Sequence, residues 1–364
     1  MKEFRIEELA EVVSGGTPST RISEYWHGNI VWLTPKDLSN SSKRWIYSSL
    51  TTITEAGLKN SATRMLPVNS VLLSSRAPIG YLALAGKPLC TNQGFKSMIC
   101  NTNYILPEYL YYYLHTKVED LNNISTGSTF KELSSSLLKN YVVSIHDLTT
   151  QQHIVDILGT LDEKIENLEL QNVKLQNIAL ARFKVAFRDK GRIPLKSIAT
   201  VTMGQSPSGN TITENEGKVF YQGRTDFGFR YPTVRLFTTK PNRTAKKGDI
   251  LLSVRAPVGD VNRAFQDCCI GRGIAAISSE YCSFIYYSLL FQKHDFDIYN
   301  NSGTIFGSIN RDALMSFALP ASDIDAVKAF NIFAESIDEK ILQNTNEIKE
   351  LQKLKLLYLQ KFFG

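Results

Sequence analysis

One long helical pattern occurs twice in this chain, and it constrains the fold more than any other feature. The first copy runs from about Gln151 to Arg188 around Leu161-Asp162-Glu163-Lys164-Ile165. The second runs from about Asp325 to Phe363 around Ile337-Asp338-Glu339-Lys340-Ile341, at an offset of 176 residues. A globular stretch precedes each copy. The pattern therefore predicts two similar halves, each made of a globular part and a long helix.

Apolar residues in both copies recur at alternating spacings of four and three, which is typical of a coiled-coil seam. The predicted seam contains Ile154, Leu158, Leu161, Ile165, Leu168, Asn172 and Leu175 in the first copy, and Phe330, Ile337, Ile341, Asn344, Ile348 and Leu351 in the second. Parallel pairing in register would bury the two asparagines without partners, at a cost of ~1–3 kcal/mol each. Antiparallel pairing with full overlap brings Asn172 opposite Asn344. We therefore predict an antiparallel coiled coil.

The globular parts share a strand and a turn. Val71-Leu72-Leu73-Ser74-Ser75-Arg76-Ala77-Pro78-Ile79-Gly80 matches Ile250-Leu251-Leu252-Ser253-Val254-Arg255-Ala256-Pro257-Val258-Gly259. An apolar run before serine predicts a buried strand, and Ala-Pro-x-Gly predicts the turn that ends it. Arg76 and Arg255 follow these strands. Each arginine either holds the turn by bonding loop carbonyls or contacts a phosphate or a guanine edge, and the sequence leaves both roles open.

The tyrosine-rich segments Leu110–Leu114 and Ile285–Leu289 predict a helix packed on the sheet in each half, with the tyrosines in the core. The fold class is therefore α+β, with two mixed α/β globular domains separated by two long helices and related by a pseudo-twofold repeat. The predicted boundaries are 1–148 and 191–323 for the globular domains, and 149–190 and 324–364 for the long helices.

Positive charge is concentrated in the globular parts. The net charge is +6, and residues 21–96 contain nine Lys or Arg against three Asp or Glu, whereas residues 218–272 contain eleven against four. This distribution favours a polyanion partner that both globular parts contact.

The chain has no apolar run of about 18 residues and no apolar signal core, so we expect a soluble, unexported protein. Five cysteines without a CxxC pair fit a reducing cytoplasm.

The motif Asp-x-Lys occurs in both long helices and resembles part of a metal-dependent nuclease site, with Asp147 or Asp323 as possible upstream acids. Because charges beside a coiled-coil seam normally face solvent, we interpret Asp162 and Asp338 as solvated rather than catalytic. The five histidines have no ligand spacing, and no nucleotide-binding loop occurs. The sequence therefore argues against an enzyme. A nuclease and a coiled-coil adaptor without a nucleic-acid role remain the alternatives.

A set of motifs resembles the specificity subunit of type I restriction-modification enzymes. These motifs are Gly127-Ser128 with Leu133, Gln151-Gln152 with Ile154, and Leu161-Asp162 with Ile165 in a heptad helix that ends in Phe. The resemblance implies two target-recognition domains that each recognise one half of a bipartite DNA site. It also implies two conserved helices that act as a spacer and as the docking surface for modification subunits.

Methyl transfer and ATP-driven cleavage belong to partner subunits in that family. The resemblance therefore implies no catalytic residue, metal or cofactor in this chain, and partners that use S-adenosylmethionine, ATP and magnesium. The implied partners are double-stranded DNA, two modification subunits and the restriction subunits.

A helix of ~37 residues at ~1.5 Å per residue spans ~55 Å, about 16 base pairs at ~3.4 Å each. Helix length would then set the spacer between the half-sites.

Long basic and amide side chains in the divergent parts of the two domains, together with Arg76 and Arg255 of the shared turns, are the candidates for DNA contact. Arginine and glutamine can make bidentate contacts with bases, whereas lysine more often contacts phosphate. The predicted DNA-binding residues are Lys36, Arg44, Arg64, Arg76 and Lys96 in the first domain and Gln222, Arg224, Arg230, Arg235, Lys246, Lys247 and Arg255 in the second.

Overall fold

The described residues form two compact units. The computed structural model describes residues 1–39, 43–126, 131–300, 307–321 and 323–364. The first unit contains Met1–Glu169 and Asn346–Gly364, and the second contains Leu170–Thr345. Gly127 and Ser128, which contribute to the family resemblance, lie outside the described residues.

The first unit contains two sheets and an isolated strand pair. Its strands are β1 (Lys2–Arg5), β2 (Ala10–Ser14), β3 (Trp26–Leu33), β4 (Trp45–Ile46), β5 (Thr51–Ile53), β6 (Val71–Ser75), β7 (Ile79–Ala85), β8 (Cys90–Thr91), β9 (Lys96–Cys100) and β10 (Val142–Ile145). Their orders are β2-β9-β6-β7-β4, β5-β3-β8 and β1-β10. The helices are α1 (Ile6–Leu9), α2 (Pro35–Ser39), α3 (Glu55–Lys59), α4 (Pro107–Thr116), α5 (Val118–Ile124), α6 (Ser135–Asn140) and the first part of α7 (Leu148–Phe187).

The second unit has the same kinds of sheet. Its strands are β11 (Arg192–Pro194), β12 (Thr200–Met203), β13 (Ile212–Thr213), β14 (Lys218–Tyr221), β15 (Leu236–Thr238), β16 (Thr244–Ala245), β17 (Ile250–Ser253), β18 (Val261–Arg263), β19 (Cys268–Ile270), β20 (Ile274–Ser278) and β21 (Ala318–Pro320). Their orders are β12-β20-β17-β18, β13-β15-β14-β19-β16 and β11-β21. The helices are the second part of α7, α8 (Cys282–Phe291), α9 (Asp297–Asn300), α10 (Arg311–Met315) and the first part of α11 (Ile324–Phe363).

Sheet topology confirms the predicted internal repeat. The order β2-β9-β6-β7 corresponds to β12-β20-β17-β18, and β5-β3-β8 corresponds to β15-β14-β19. The second sheet of each unit contains a parallel strand pair, in which Trp32 pairs with Cys90 and Phe220 with Cys269. The predicted strands at Val71 and Ile250 and the predicted tyrosine helices are also confirmed, and the tyrosines of α4 are buried in a core.

Aspartates cap both long helices. The carboxylate of Asp147 accepts hydrogen bonds from the backbone N–H and the hydroxyl of Thr150, each at 2.9 Å, and these bonds lower the pKa of Asp147. Asp323 accepts a hydrogen bond from the backbone N–H of Asp325 at 2.9 Å. A side-chain oxygen at this position satisfies a free donor of the first helical turn. The capping role replaces the role of upstream acid that the nuclease hypothesis gave to these two residues.

The long helices pair antiparallel within each unit. In the first unit, Asp162 accepts a hydrogen bond from Lys355 at 2.6 Å, and Lys164 lies 3.2 Å from Glu347. In the second unit, the side-chain N–H of Asn344 donates to the side-chain oxygen of Asn172 at 2.9 Å. Residues with increasing numbers along α7 therefore contact residues with decreasing numbers along α11. The predicted antiparallel pair, with Asn172 opposite Asn344, is confirmed.

The predicted seam is largely buried. Leu168 and Ile348 pack in one apolar cluster with Ile165, as the predicted register requires. Leu161, Leu175 and Leu351 are half-buried, and the other predicted seam residues are buried. Within the described residues, no helix combines the length and the apolar character that crossing a membrane requires.

We expect the hydrogen bond between Asn172 and Asn344 to make a modest contribution to the free energy of unfolding. Asn172→Leu leaves the buried amide of Asn344 without its partner, so the free energy of unfolding should fall by ~1–3 kcal/mol. The double variant Asn172→Leu/Asn344→Leu removes both amides and should recover most of this loss. Urea unfolding measures both effects. Asn167→Leu, on the exposed side of α7, is the matched control and should change stability by less than about 0.5 kcal/mol. If the Asn172→Leu variant is as stable as the parent, the prediction is contradicted.

Candidate nucleic-acid interface

Asp338 anchors α11 to the globular part of the second unit. Its carboxylate accepts hydrogen bonds from Arg263 at 2.7 Å, from the hydroxyl of Ser283 at 2.7 Å and from the hydroxyl of Tyr287 at 3.1 Å. It also forms a salt bridge with Arg230. Asp338 is 6% exposed. One buried carboxylate on the long helix therefore holds two cations and two hydroxyls.

The guanidinium of Arg230 lies in the interior beside this anchor. The residue is 1% exposed, and its guanidinium carbon lies 3.7 Å from the ring centre of Tyr286. Burial alone would lower the pKa of Arg230, but Tyr286 and Asp338 outweigh burial and raise it. Arg230 therefore remains charged in the core, where an unpaired charge would be costly.

Asp162 occupies the equivalent position in the first unit. It accepts hydrogen bonds from the hydroxyl of Tyr112 at 2.7 Å and from Lys355 at 2.6 Å. The hydroxyl of Tyr112 in turn accepts a hydrogen bond from Arg44 at 3.0 Å, and Arg44 also lies 3.6 Å from Glu163. Each long helix is therefore anchored through an aspartate and a tyrosine of the tyrosine-rich helix, with an arginine nearby.

The solvated interpretation of Asp162 and Asp338 is wrong, because both face the globular part of their unit. They are 7% and 6% exposed, and their lone pairs are occupied by tyrosine, serine and cationic donors. Among the described residues, no group of three or more His, Cys, Asp or Glu side chains could hold a metal ion. The repeated aspartate and the repeated tyrosine were the available sequence signals for these anchors. Arg263, which also bonds Asp338, had no such signal.

Three of the predicted DNA-binding side chains are buried. Arg44 and Arg230 belong to the two anchors, and the ammonium of Lys96 lies 3.8 Å from Glu132 with the residue 8% exposed. DNA contacts require side chains on the surface. The interior position argues against DNA contact by these three residues, and we assign them a structural role.

Three other predicted residues are exposed but form salt bridges. Arg64 pairs with Glu11, Arg224 with Asp260, and Arg235 with Asp226. Burial would raise the pKa of Asp260, but hydrogen bonds from Lys293 and Arg224 outweigh burial and lower it. These arginines would have to exchange a carboxylate for phosphate or a base when DNA binds.

The remaining candidates lie on the surface or at its edge. Lys36 lies on α2, Gln222 follows β14, and Lys246 and Lys247 follow β16; all four are exposed. Arg255 is exposed and Arg76 is half-buried. These six residues provide donors suited to phosphates or base edges, and DNA contact by them remains a prediction.

Comparisons with known proteins identify relatives of this chain. Residues 1–177 match a family model described as type I restriction modification DNA specificity domain. The chain is 46% identical over 187 residues to the type I restriction enzyme MjaIX specificity subunit of Methanocaldococcus jannaschii, in an alignment that covers 51% of this chain and 43% of the relative. It is 30% identical over 315 residues to the putative type I restriction enzyme MjaX specificity subunit of that organism, covering 78% and 74%. The chain thus spans less than half of the first relative's length and about three quarters of the second's.

A solved structure supports the same fold. The crystal structure of a Type-I restriction-modification system S subunit from M. genitalium aligns with a TM-score of 0.60 at 17% sequence identity. The alignment covers 100% of this chain and 96% of that one. At this identity the likeness shows the fold alone.

We expect Asp338→Ala to destabilise the chain strongly. Removing the carboxylate leaves Arg230 buried without its counter-charge, and breaking a buried pair in this way typically costs ~3–5 kcal/mol. The free energy of unfolding in urea is the measurement. Asp325→Ala removes an exposed carboxylate from the same helix and should change stability by less than about 0.5 kcal/mol. Equal stability of the two variants would contradict the anchor role.

Proposed function

From the premise that this chain belongs to the family of type I restriction-modification specificity subunits, we propose that it binds a bipartite DNA target. Each unit supplies one target-recognition domain and recognises one half of the site. The chain itself is not catalytic. In this proposal it selects the DNA sequence on which partner subunits act.

One observation carries the proposal: the two units share a framework but present different polar surfaces. The sheet order and the aspartate anchor recur in both units. The exposed candidates differ, with Lys36 in the first unit and Gln222, Lys246 and Lys247 in the second. A shared framework with different surface donors is what recognition of two different half-sites needs.

The long helices set the distance between the half-sites in this proposal. Each helix contains 40 residues, which at ~1.5 Å per residue is about 60 Å, or roughly 18 base pairs of DNA. Antiparallel pairing stiffens the helices, so the spacer length between the half-sites follows from helix length. DNA between the half-sites is then not recognised.

The proposed partners are two modification subunits, together with restriction subunits. Exposed leucines on α11, Leu354, Leu356 and Leu357, are 41%, 57% and 62% exposed and offer an apolar docking surface to a modification subunit. S-adenosylmethionine, ATP and magnesium would be bound by the partners. The five free cysteines suit a reducing compartment, and we place the complex in the cytoplasm.

The two alternative functions have less support. A nuclease would use Asp162 and Asp338, but both carboxylates are occupied by protein donors. A coiled-coil adaptor without a DNA role would not need two repeated mixed α/β units. Salt-dependent binding of the purified chain to duplex DNA separates the adaptor from the proposed function.

We expect the helix length to set the spacer. Deleting one heptad from α7 and the facing heptad from α11 shortens the helix pair by about 10 Å, so the preferred spacer should shorten by roughly three base pairs. Selection of bound duplexes from a library with varied spacers measures the preference. The control replaces the same heptads by other heptads of equal length, which should leave the spacer unchanged. A folded deletion variant that keeps the parental spacer contradicts the proposal.

A further inference from the structure

Arg76 and Arg255 follow equivalent turns that a serine holds in place. In the first unit, the hydroxyl of Ser74 donates to the carbonyl of Pro78 and accepts from the backbone N–H of Tyr81, both at 2.8 Å. In the second unit, Ser253 makes the same two bonds with Pro257 and Asp260 at 2.9 Å. A hydroxyl can donate one hydrogen bond and still accept others. The serine thus supplies the side-chain contacts that close each turn.

Backbone hydrogen bonds hold the ends of the two strands from both sides. Ser75 donates to the carbonyl of Gly94 at 2.7 Å and accepts from Leu133 at 2.9 Å. In the second unit, Val254 donates to Gly273 at 3.0 Å and accepts from Ile309 at 3.1 Å. Neither turn therefore needs its arginine as a brace, which was the structural role that the sequence left open.

The guanidinium groups of Arg76 and Arg255 are uncommitted within the part of the chain that the structure describes. Neither forms a hydrogen bond or a salt bridge there, whereas Arg64, Arg224 and Arg235 on the same units each pair with a carboxylate. Arg255 is exposed, and Arg76 lies at the edge of an open cavity whose polar lining also includes Asn122, Lys131 and Glu132, the last of which pairs with Lys96. Each arginine can take an anionic ligand without first breaking a salt bridge.

Identity of the residue in both units indicates the class of ligand. A side chain that distinguishes bases would differ between units that recognise different half-sites, whereas a phosphate is the same at every step of DNA. Arginine also presents its donors in a fork that fits phosphate oxygens. Resting on the proposed function, we propose that Arg76 and Arg255 form equivalent contacts with DNA backbone phosphates, one in each half-site, that are independent of base sequence.

The test uses the full-length chain and two duplexes, one of random sequence and one that contains the recognised site. Arg76→Ala and Arg255→Ala should each weaken binding to both duplexes by the same factor. The slope of the logarithm of the binding constant against the logarithm of salt concentration should fall by about 0.9 for each variant and by about 1.8 for the double variant. The preferred bases should not change. Arg76→Lys keeps a charge that can contact phosphate and should retain most of the slope.

Two controls distinguish loss of the proposed phosphate contact from a general loss of positive charge and from a loss of stability. Arg192→Ala removes an exposed arginine that pairs with Asp295 in the second unit and should leave the slope unchanged. Thermal unfolding of both turn variants should match that of the parent. An unchanged slope, a preference change at one base position, or a loss of stability that accounts for weaker binding would overturn the phosphate assignment. If the parental chain shows no salt-dependent binding to either duplex, the proposed function fails instead.

Discussion

Antiparallel pairing of the two long helices is the constraint on which the rest of the structure depends. Each unit contains a segment of both helices, and the first unit is built from two separate stretches of chain. Residues 346–364 complete the first unit, where the ring of Phe363 lies 5.3 Å from Tyr109 and 5.6 Å from Tyr113. In the second unit, Phe187 at the end of α7 lies 5.2 Å from Phe284. A phenylalanine at the end of a long helix thus closes each core.

The aspartate anchors connect this helix pair to the surfaces proposed to bind DNA. Their geometry is repeated, but the source of positive charge differs. Lys355 on the partner helix reaches Asp162, whereas Arg230 and Arg263 from the globular part reach Asp338. The hydrogen bonds from Tyr112 to Asp162 and from Tyr287 to Asp338 hold the globular part of each unit on its long helix. Both units keep the buried carboxylate, but different cations neutralise it in the two units.

Local sequence patterns predicted the framework well and the site less well. Heptad spacing fixed the seam, and the offset of the asparagines gave the antiparallel pairing, because both follow from positions along one helix. Burial of Arg230 could not be predicted, since its partner Asp338 lies 108 residues away and an interior arginine has the same local pattern as a surface arginine. The same reason explains Arg44 and Lys96. Arg76 and Arg255 were identified because they recur in both halves. The sequence could not show that Ser74 and Ser253 close the turns and leave the two arginine side chains unbonded within the described residues.

The central claim is that two different recognition domains define one bipartite DNA site with a spacer of constant length. Long-read methylome sequencing of cells that carry this chain with its partner subunits tests this claim most directly. The account predicts methylation at a motif of two short specified tracts separated by unspecified bases of constant number. A single continuous motif, or two tracts separated by a variable number of bases, would contradict it.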